Sequence, residues 1–393
     1  MRGDTLSPLH GVPVSTKDQV DVAGMRTTHG SANFANNMAQ HDDPTVACLR
    51  RAGAIVFTKT TLPEFGHKGL TDGPSFGTTR NPWNPDRTTG GSSGGAGAAV
   101  ASGIGPLALG TDGAGSVRIP AACCGLVGLK PTLGAIPWAQ ASDAFGNYTY
   151  AGPMTRSVTD ATVMFQSMTG PDACDPWSLG GGAQRPLSSN LVGHDLSGLR
   201  IGVIIHCTNK RVQAEMANNA TASNTALTDF GATAETITDT IDWIELPGRV
   251  MYQGNYAVAM AKHLPRWQNQ MDPSLLAFVE RGSAFSLAEF REAQHARSRL
   301  FRAMQSLFER YDVLMMPTLS RTALPADFDA TNDQIDFDDE LCDITRWAGA
   351  AMSTRSTSPA TQPLPSLPAL PTTACPPPCN SLALGAQISI SCV

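Results

Sequence analysis

Short apolar runs, separated by stretches dense in glycine, proline and small polar residues, set the rhythm of the first third of the chain. Gly11 to Val20 (GVPVSTKDQV) begins extended and turns at a Lys-Asp pair. Thr45 to Ala52, just after Pro44, suits a short helix, and Ala54 to Thr58 (AIVFT) reads as a strand by its β-branched content. Gly66 to Arg87 is rich in Gly, Pro, Asn and Thr and reads as loop. A glycine-serine run, Gly90 to Gly95, passes directly into an Ala/Gly helix over Ala96 to Ser102. Pro106 to Leu109 reads as a buried strand that ends in a second glycine-rich turn, Gly110 to Ser116, and Cys124 to Leu129 is another apolar segment. Asp175 to Ser197 is polar and reads as a surface connection, whereas Leu199 to Ile205 (LRIGVII) reads as a buried strand. Ser286 to Tyr311 has helical spacing and opens on Ser-x-x-Glu (Ser286, Glu289), the pattern of a capping box. Asp312 to Met316 (DVLMM) follows as a strand. Strands alternating with helices predict an α/β fold around a largely buried sheet.

Composition narrows the functional classes. The 393 residues suffice for one large α/β domain or two ordinary ones, and 41% hydrophobic against 16% charged residues suits a sizeable core. A net charge of −6 leaves no electrostatic footprint for nucleic acid or an anionic membrane, so neither is expected as a partner. No apolar run is long enough to cross a bilayer, and the first residues, MRGDTLSPLHGV, lack the apolar stretch of a signal peptide. The nine cysteines show no CxxC spacing. Reduced thiols and a cytoplasmic setting are therefore expected, with adjacent Cys123 and Cys124 as small core residues.

The candidate chemistry lies in two glycine-rich serine clusters, GGSSGG at Gly90 to Gly95 and GTDGAGSVRIP at Gly110 to Pro120. A serine hydroxyl is a poor nucleophile at neutral pH and needs a base. Eight histidines are present, but no GxSxG elbow surrounds any serine. Glycines let backbone N–H groups crowd round one point, as an oxyanion hole requires. Either cluster alone could equally be a structural turn. No Cys/His spacing suggests a metal, and no cofactor is implied.

Taken together and in order, these motifs resemble those of the amidase-signature family. The resemblance runs from Pro8 to about Gly349 through GVPVSTKD, AIVFTKTTLPEF, GGSSGG, GTDGAGSVRIP, GLVGLKPT (Gly125 to Thr132), GPMTRSVTDA (Gly152 to Ala161) and YDVLMMPT (Tyr311 to Thr318). It implies one large domain over residues 1–350, with a mixed β-sheet core covered by helices on both faces. It also implies a serine amidohydrolase with a Ser-Ser-Lys triad. Ser116 matches the nucleophile, Ser92 the bridging serine beside a cis peptide, and Lys17 the catalytic lysine. Gly113, Ala114, Gly115 and Ser116 would offer the oxyanion hole. Ser93, Asp112 and Arg118 are supporting residues, and Lys130 reads as structural. His29, His41 and His67 have no base role and read as surface or pocket-wall residues. The alanine at 114 stands where the family often has glycine, so the hole requires negative φ there.

The expected substrate is a small or mid-sized carboxamide, cleaved through a seryl acyl-enzyme, with Gln140 to Gly152 and Met251 to Lys262 as candidate pocket segments and a homodimer as a possible assembly. Two other readings compete: the A subunit of a glutamyl-tRNA amidotransferase, and an inactive truncated member of the family. The latter is motivated by the two ends. Ten residues precede GVP where the family has several dozen helical ones. After Arg355 there is no charged residue and proline becomes dense, so residues 351–393 read as a tail without regular structure. A single-base shift of reading frame near Gly349 to Ser353 would restore GNP, DGLP and QLVG elements like the family's. It is the expected origin of this tail, which would cost the sheet a late strand.

Overall fold

The computed structural model describes residues 6–180, 195–206, 212–241, 245–337, 340–342 and 388–392. The chain forms two compact units, Met1–Asn190 and Leu191–Val393. The expected domain limit at residue 350 lies outside the described residues.

In the first unit the elements are β1 (Pro13–Lys17), α1 (Pro44–Arg51), β2 (Ile55–Thr60), β3 (Arg80–Asn81), β4 (Asn84–Thr88), α2 (Gly94–Ala101), β5 (Leu107–Asp112), α3 (Arg118–Cys124), β6 (Val127–Gly128), β7 (Tyr150–Thr155), α4 (Val158–Met168) and α5 (Pro176–Leu179). A five-stranded sheet runs in the order β2-β1-β5-β7-β6. β1 pairs in parallel with β2 and β5, and β7 pairs antiparallel with β5 and β6. The two-residue period of a strand divides β5 between two cores. Leu107 and Leu109 pack with Val14, Leu49, Met164 and Met168 on one face, while Ala108 packs with Ala96, Val100, Val117 and Met154 on the other.

The second unit contains β8 (Arg200–Val203), α6 (Ala214–Asp229), β9 (Thr233–Thr236), α7 (Glu245–Ala261), α8 (Leu264–Trp267), α9 (Pro273–Ala284), α10 (Leu287–Phe308), β10 (Val313–Pro317), β11 (Ile335–Phe337), β12 (Glu340–Cys342) and β13 (Ile388–Cys392). Its main sheet has the order β13-β10-β8-β9. The unbroken apolar run of β10 is that of a strand buried on both faces: Val313 and Met315 enter one core, Leu314 and Met316 the other. The capping box of α10 is present, with Ser286 Oγ accepting from the Glu289 N–H and the Glu289 carboxylate from the Ser286 N–H.

Several elements depart from the sequence reading for identifiable reasons. The Gly66 to Arg87 loop contains the small hairpin β3–β4, which is anchored at a distance: Asn81 Nδ2 donates to Cys123 O and Trp83 Nε1 to Cys124 O. Helix α3 was hidden by Pro120. That proline sits in the first helical turn, where a missing N–H removes no intrahelical bond. Strand β5 runs on to Asp112 because its pairing with β7 continues to Tyr150. Of the proline-dense tail, only residues 388–392 are described. They form β13, antiparallel to β10, so this piece of the tail has the regular structure its composition did not suggest. The stretch is proline-free and alternates isoleucine with serine, which suits an edge strand. The rest of the expected frame-shifted segment lies outside the described residues.

Candidate active site

Strand β1 carries Lys17 to its C-terminal end, fully buried in the first unit. Its Nζ lies 2.6 Å from Ser92 Oγ and 2.9 Å from Thr111 Oγ1. Burial drives its pKa down from 10.5 to about 7, against the pull of the Asp112 carboxylate. Holding an ammonium there costs on the order of 5 kcal/mol relative to water. A folded chain tolerates such a penalty where the neutral amine has a use.

Ser92 is supplied by the first glycine turn. The Gly91–Ser92 peptide is cis. Gly91 cannot be replaced by a larger residue, because a Cβ there would stand 2.5 Å from Leu70 O. The neighbouring Ser93 ties the two turns together: its N–H donates to Ser116 O (3.1 Å) and its Oγ to Thr111 O (3.1 Å). The hydroxyl that would ordinarily cap α2 is thus spent on the next strand, and α2 starts without a side-chain cap.

Ser116 lies in the second turn, braced from within. Arg118 grips Asp112 in a two-pronged pair (Nε to Oδ2 2.9 Å, Nη2 to Oδ1 2.7 Å), and both side chains are buried. Burial alone would raise the Asp112 pKa, but the Arg118 charge and hydrogen bonds, the Lys130 charge and the Gly115 N–H outweigh it and bring it to about 2. The Asp112 carboxylate also accepts from the N–H groups of Gly115 (2.7 Å), Val117 (3.2 Å) and Arg118 (3.4 Å). Gly115 has φ of +112°, where glycine is required, while Ala114 lies outside the left-handed region. The alanine at 114 is therefore accommodated. The Gly115 N–H is already committed to Asp112, so of the four expected oxyanion positions this one braces the loop.

Part of the Lys130 side chain reaches solvent, but its ammonium end is enclosed by protein. Its Nζ donates to Pro131 O and stands 3.8 Å from the centre of the Tyr150 ring. Burial and the nearby Arg118 lower its pKa to about 7, against Asp112. Of the histidines, His41 is exposed and His29 half-buried. His67, by contrast, is buried, with Nδ1 2.8 Å from Glu64 O, which overturns the surface alternative for this residue. Cys124 is buried, and burial pushes the Cys123 thiol up to about 12. No group of metal-ligating side chains occurs among the described residues.

Three neighbours escaped the sequence reading. Thr111 faces Lys17. A Cβ on Gly66 would stand 3.2 Å from Ser92 Oγ and 3.0 Å from Gln19 Oε1, which places Gly66 and Gln19 beside Ser92. Thr111 is the second residue of the GTDGAGSVRIP motif, but only strand pairing brings it to Lys17; no local signal marks Gly66 or Gln19.

Comparison with known proteins gives the same direction. The family model described as Amidase matches residues 1–369. The chain is 38% identical to an acylamidase of Rhodococcus erythropolis over 330 residues, 82% of this chain and 68% of that one. It is 34% identical to the A subunit of the glutamyl-tRNA(Gln) amidotransferase of Thermus thermophilus, over 81% of this chain and 72% of that one. Among solved structures, a bacterial aryl acylamidase of the amidase-signature enzymes matches with a TM-score of 0.82 and 27% identity, over 91% of this chain and 76% of that one. No helix among the described residues is long and apolar enough to cross a membrane. With the glycine turns, the buried lysine and these likenesses in agreement, the chain belongs to the amidase-signature family of hydrolases.

Proposed function

We propose that this protein hydrolyses the C–N bond of a small or mid-sized carboxamide through an acyl-enzyme on Ser116. The observation that carries this reading is the fully buried Lys17, its Nζ 2.6 Å from Ser92 Oγ and its pKa brought down to about 7 by burial. Neutral Lys17 takes the Ser92 proton as Ser92 takes that of Ser116. Ser116 Oγ then bonds to the amide carbon, and the carbonyl oxygen becomes an oxyanion. The N–H groups of Gly113, Ala114 and Ser116 receive that oxyanion, on a loop held by the Asp112–Arg118 pair. On collapse the C–N bond breaks, and the leaving nitrogen takes a proton from Ser92, which Lys17 replenishes. Water repeats the sequence on the acyl-enzyme, releasing the acid and restoring the three residues.

A fluorophosphonate probe, which traps activated serines, tests this directly. The adduct is expected on Ser116 in peptide mass mapping and should be absent from Ser116→Ala. Folded wild-type protein that takes up no label would overturn the reading. The likeness to the A subunits of amidotransferases supports a second reading, in which the ammonia released from glutamine passes to a partner protein. Glutaminase activity that appears only with such a partner would favour it over free amide hydrolysis.

A further inference from the structure

Gln19 stands in the turn that follows Lys17, and its backbone is held on both sides. Asp18 N–H donates to Thr60 O (3.0 Å), and the Asp18 carboxylate accepts from Thr28 N–H. Val20 N–H donates to Lys17 O (3.0 Å), and Val20 O accepts from Lys59 Nζ (2.7 Å). Lys17, Asp18 and Val20 are buried, while Gln19 between them reaches solvent. Among the described residues its carboxamide has no hydrogen-bond partner, so the fold gives this side chain no structural task. It nonetheless lies at the site. A Cβ on Gly66 would stand 3.0 Å from Gln19 Oε1 and 3.2 Å from Ser92 Oγ. The two oxygens are thus no farther apart than those distances laid end to end. One nitrogen suits such a gap, with a hydrogen bond of about 2.9 Å on either side. Gly66, with φ of +73° and no side chain, keeps a small space between them.

We propose that Gln19 is a substrate-binding residue: its side-chain oxygen accepts an N–H of the leaving nitrogen and so turns the lone pair of that nitrogen towards Ser92. This rests on the relay proposed above for Ser116, Ser92 and Lys17. When the tetrahedral intermediate collapses, the Ser92 Oγ proton goes to the nitrogen lone pair and the C–N bond breaks. The nitrogen can turn either its lone pair or an N–H towards Ser92 Oγ, and only the lone pair is productive. An acceptor on the other side of the nitrogen selects the productive orientation, because an N–H bonded to Gln19 Oε1 leaves the lone pair to face Ser92. The N–H held by Gln19 is not transferred. A carboxamide suits this task. It accepts a hydrogen bond without bringing a negative charge towards Lys17, and with neither end tied to the protein it can present its oxygen to the substrate. The contact requires an N–H on the leaving group. Primary and N-monosubstituted amides have one, and esters have none.

Primary amides paired with the methyl esters of the same acids provide the test, because both members of a pair leave the same acyl group on Ser116. The pairs are acetamide with methyl acetate, butyramide with methyl butyrate, and benzamide with methyl benzoate. kcat/KM covers the steps up to departure of the leaving group, where Gln19 acts. Gln19→Met should lower the amide to ester ratio of kcat/KM by about 3- to 10-fold, the effect of one hydrogen bond. Gln19→Glu keeps an accepting oxygen, and any effect of its charge on Lys17 falls on both substrates, so its ratio should stay near that of wild type. Fluorophosphonate labelling of Ser116, followed in the same preparations, shows that each variant is folded with its serine active. Labelled Gln19→Met with the wild-type ratio would overturn the role of Gln19 alone, as would a Gln19→Glu ratio as low as that of Gln19→Met. A wild type that takes up no label, or turns over none of the pairs, would overturn the hydrolytic reading and this inference with it.

Discussion

The two units of the chain bury different kinds of side chain. In Met1–Asn190, the sheet closes around Lys17, Asp112 and Arg118, with Ser92, Ser93 and Thr111 packed between them. In Leu191–Val393, the strands bury Ile201, Val203 and Val313 to Met316, and ion pairs such as Arg200–Asp312, Arg299–Glu292 and Arg310–Asp239 lie at the surface. Its buried Asp272 serves a local purpose, capping α9 through the Ser274 N–H. Apolar strands stabilise by leaving water, at about 25 cal/mol per Å². Buried charges instead carry a desolvation penalty that only close partners offset. The first unit therefore accepts a thermodynamic load that the second avoids, and that load collects at the candidate active site.

Breaking this contrast at its centre should have the largest effect. Lys17→Met is expected to lower the rate of Ser116 acylation by roughly 10²–10⁴-fold, measured as fluorophosphonate labelling rate. In wild type that rate should rise with pH through about 7, as Lys17 loses its proton, and fall about tenfold per pH unit below it. The same substitution should be tolerated better at pH 6 than at pH 10. The unfolded chain holds the Lys17 proton up to its ordinary 10.5, and the folded chain releases it near 7. The penalty is thus complete below pH 7 and disappears as pH rises towards 10.5. Leaving Ser92 and Thr111 without their partner costs about 1–3 kcal/mol each at any pH, so the roughly 5 kcal/mol recovered at low pH shows in the pH dependence of the difference. Urea unfolding at pH 6 and pH 10 would show the variant losing ground to wild type as pH rises; the opposite trend would contradict the assignment.

Next in size is Arg118→Met, which strands the buried Asp112 carboxylate. It should destabilise by about 3–5 kcal/mol in urea titration. Gly115→Ala, forced to φ of +112°, should lose about 1–3 kcal/mol and slow labelling, because the loop that carries Ser116 must shift. The smallest effect belongs to the second unit. Arg200→Met removes an exposed pair with Asp312 and should leave the urea midpoint nearly unchanged. Equal losses for Arg118→Met and Arg200→Met would erase the distinction between the units.

Much of the architecture was legible in the sequence, for physical reasons that differ by element. Helix α10 announced itself through a capping box and long helical spacing, and β10 through an unbroken apolar run. Both signals are local. The β3–β4 hairpin was not legible, because its anchors are carbonyls of α3 some forty residues away. Nor was the interior position of His67, since a histidine carries no sign of burial until a carbonyl such as Glu64 O is placed beside its ring.

At the site, the sequence by itself determined which residue types were available: serines in glycine turns that admit close backbone approach, and a lysine at the end of a short extended run. Glycine at 91 and 115 is dictated by contacts and φ values that no other residue meets comfortably, so the motifs are rigid in composition. Only the tertiary structure decided what those residues do to one another. Lys17 and Ser92 are 75 positions apart, and Lys17 and Thr111 94 apart, yet their atoms meet within hydrogen-bond distance. The pKa of Lys17 follows from that placement, because desolvation is a property of the surroundings and not of the lysine. The same holds for His29 and Phe65, 36 positions apart in the sequence, whose rings stack on one another with left-handed backbone once the chain has folded.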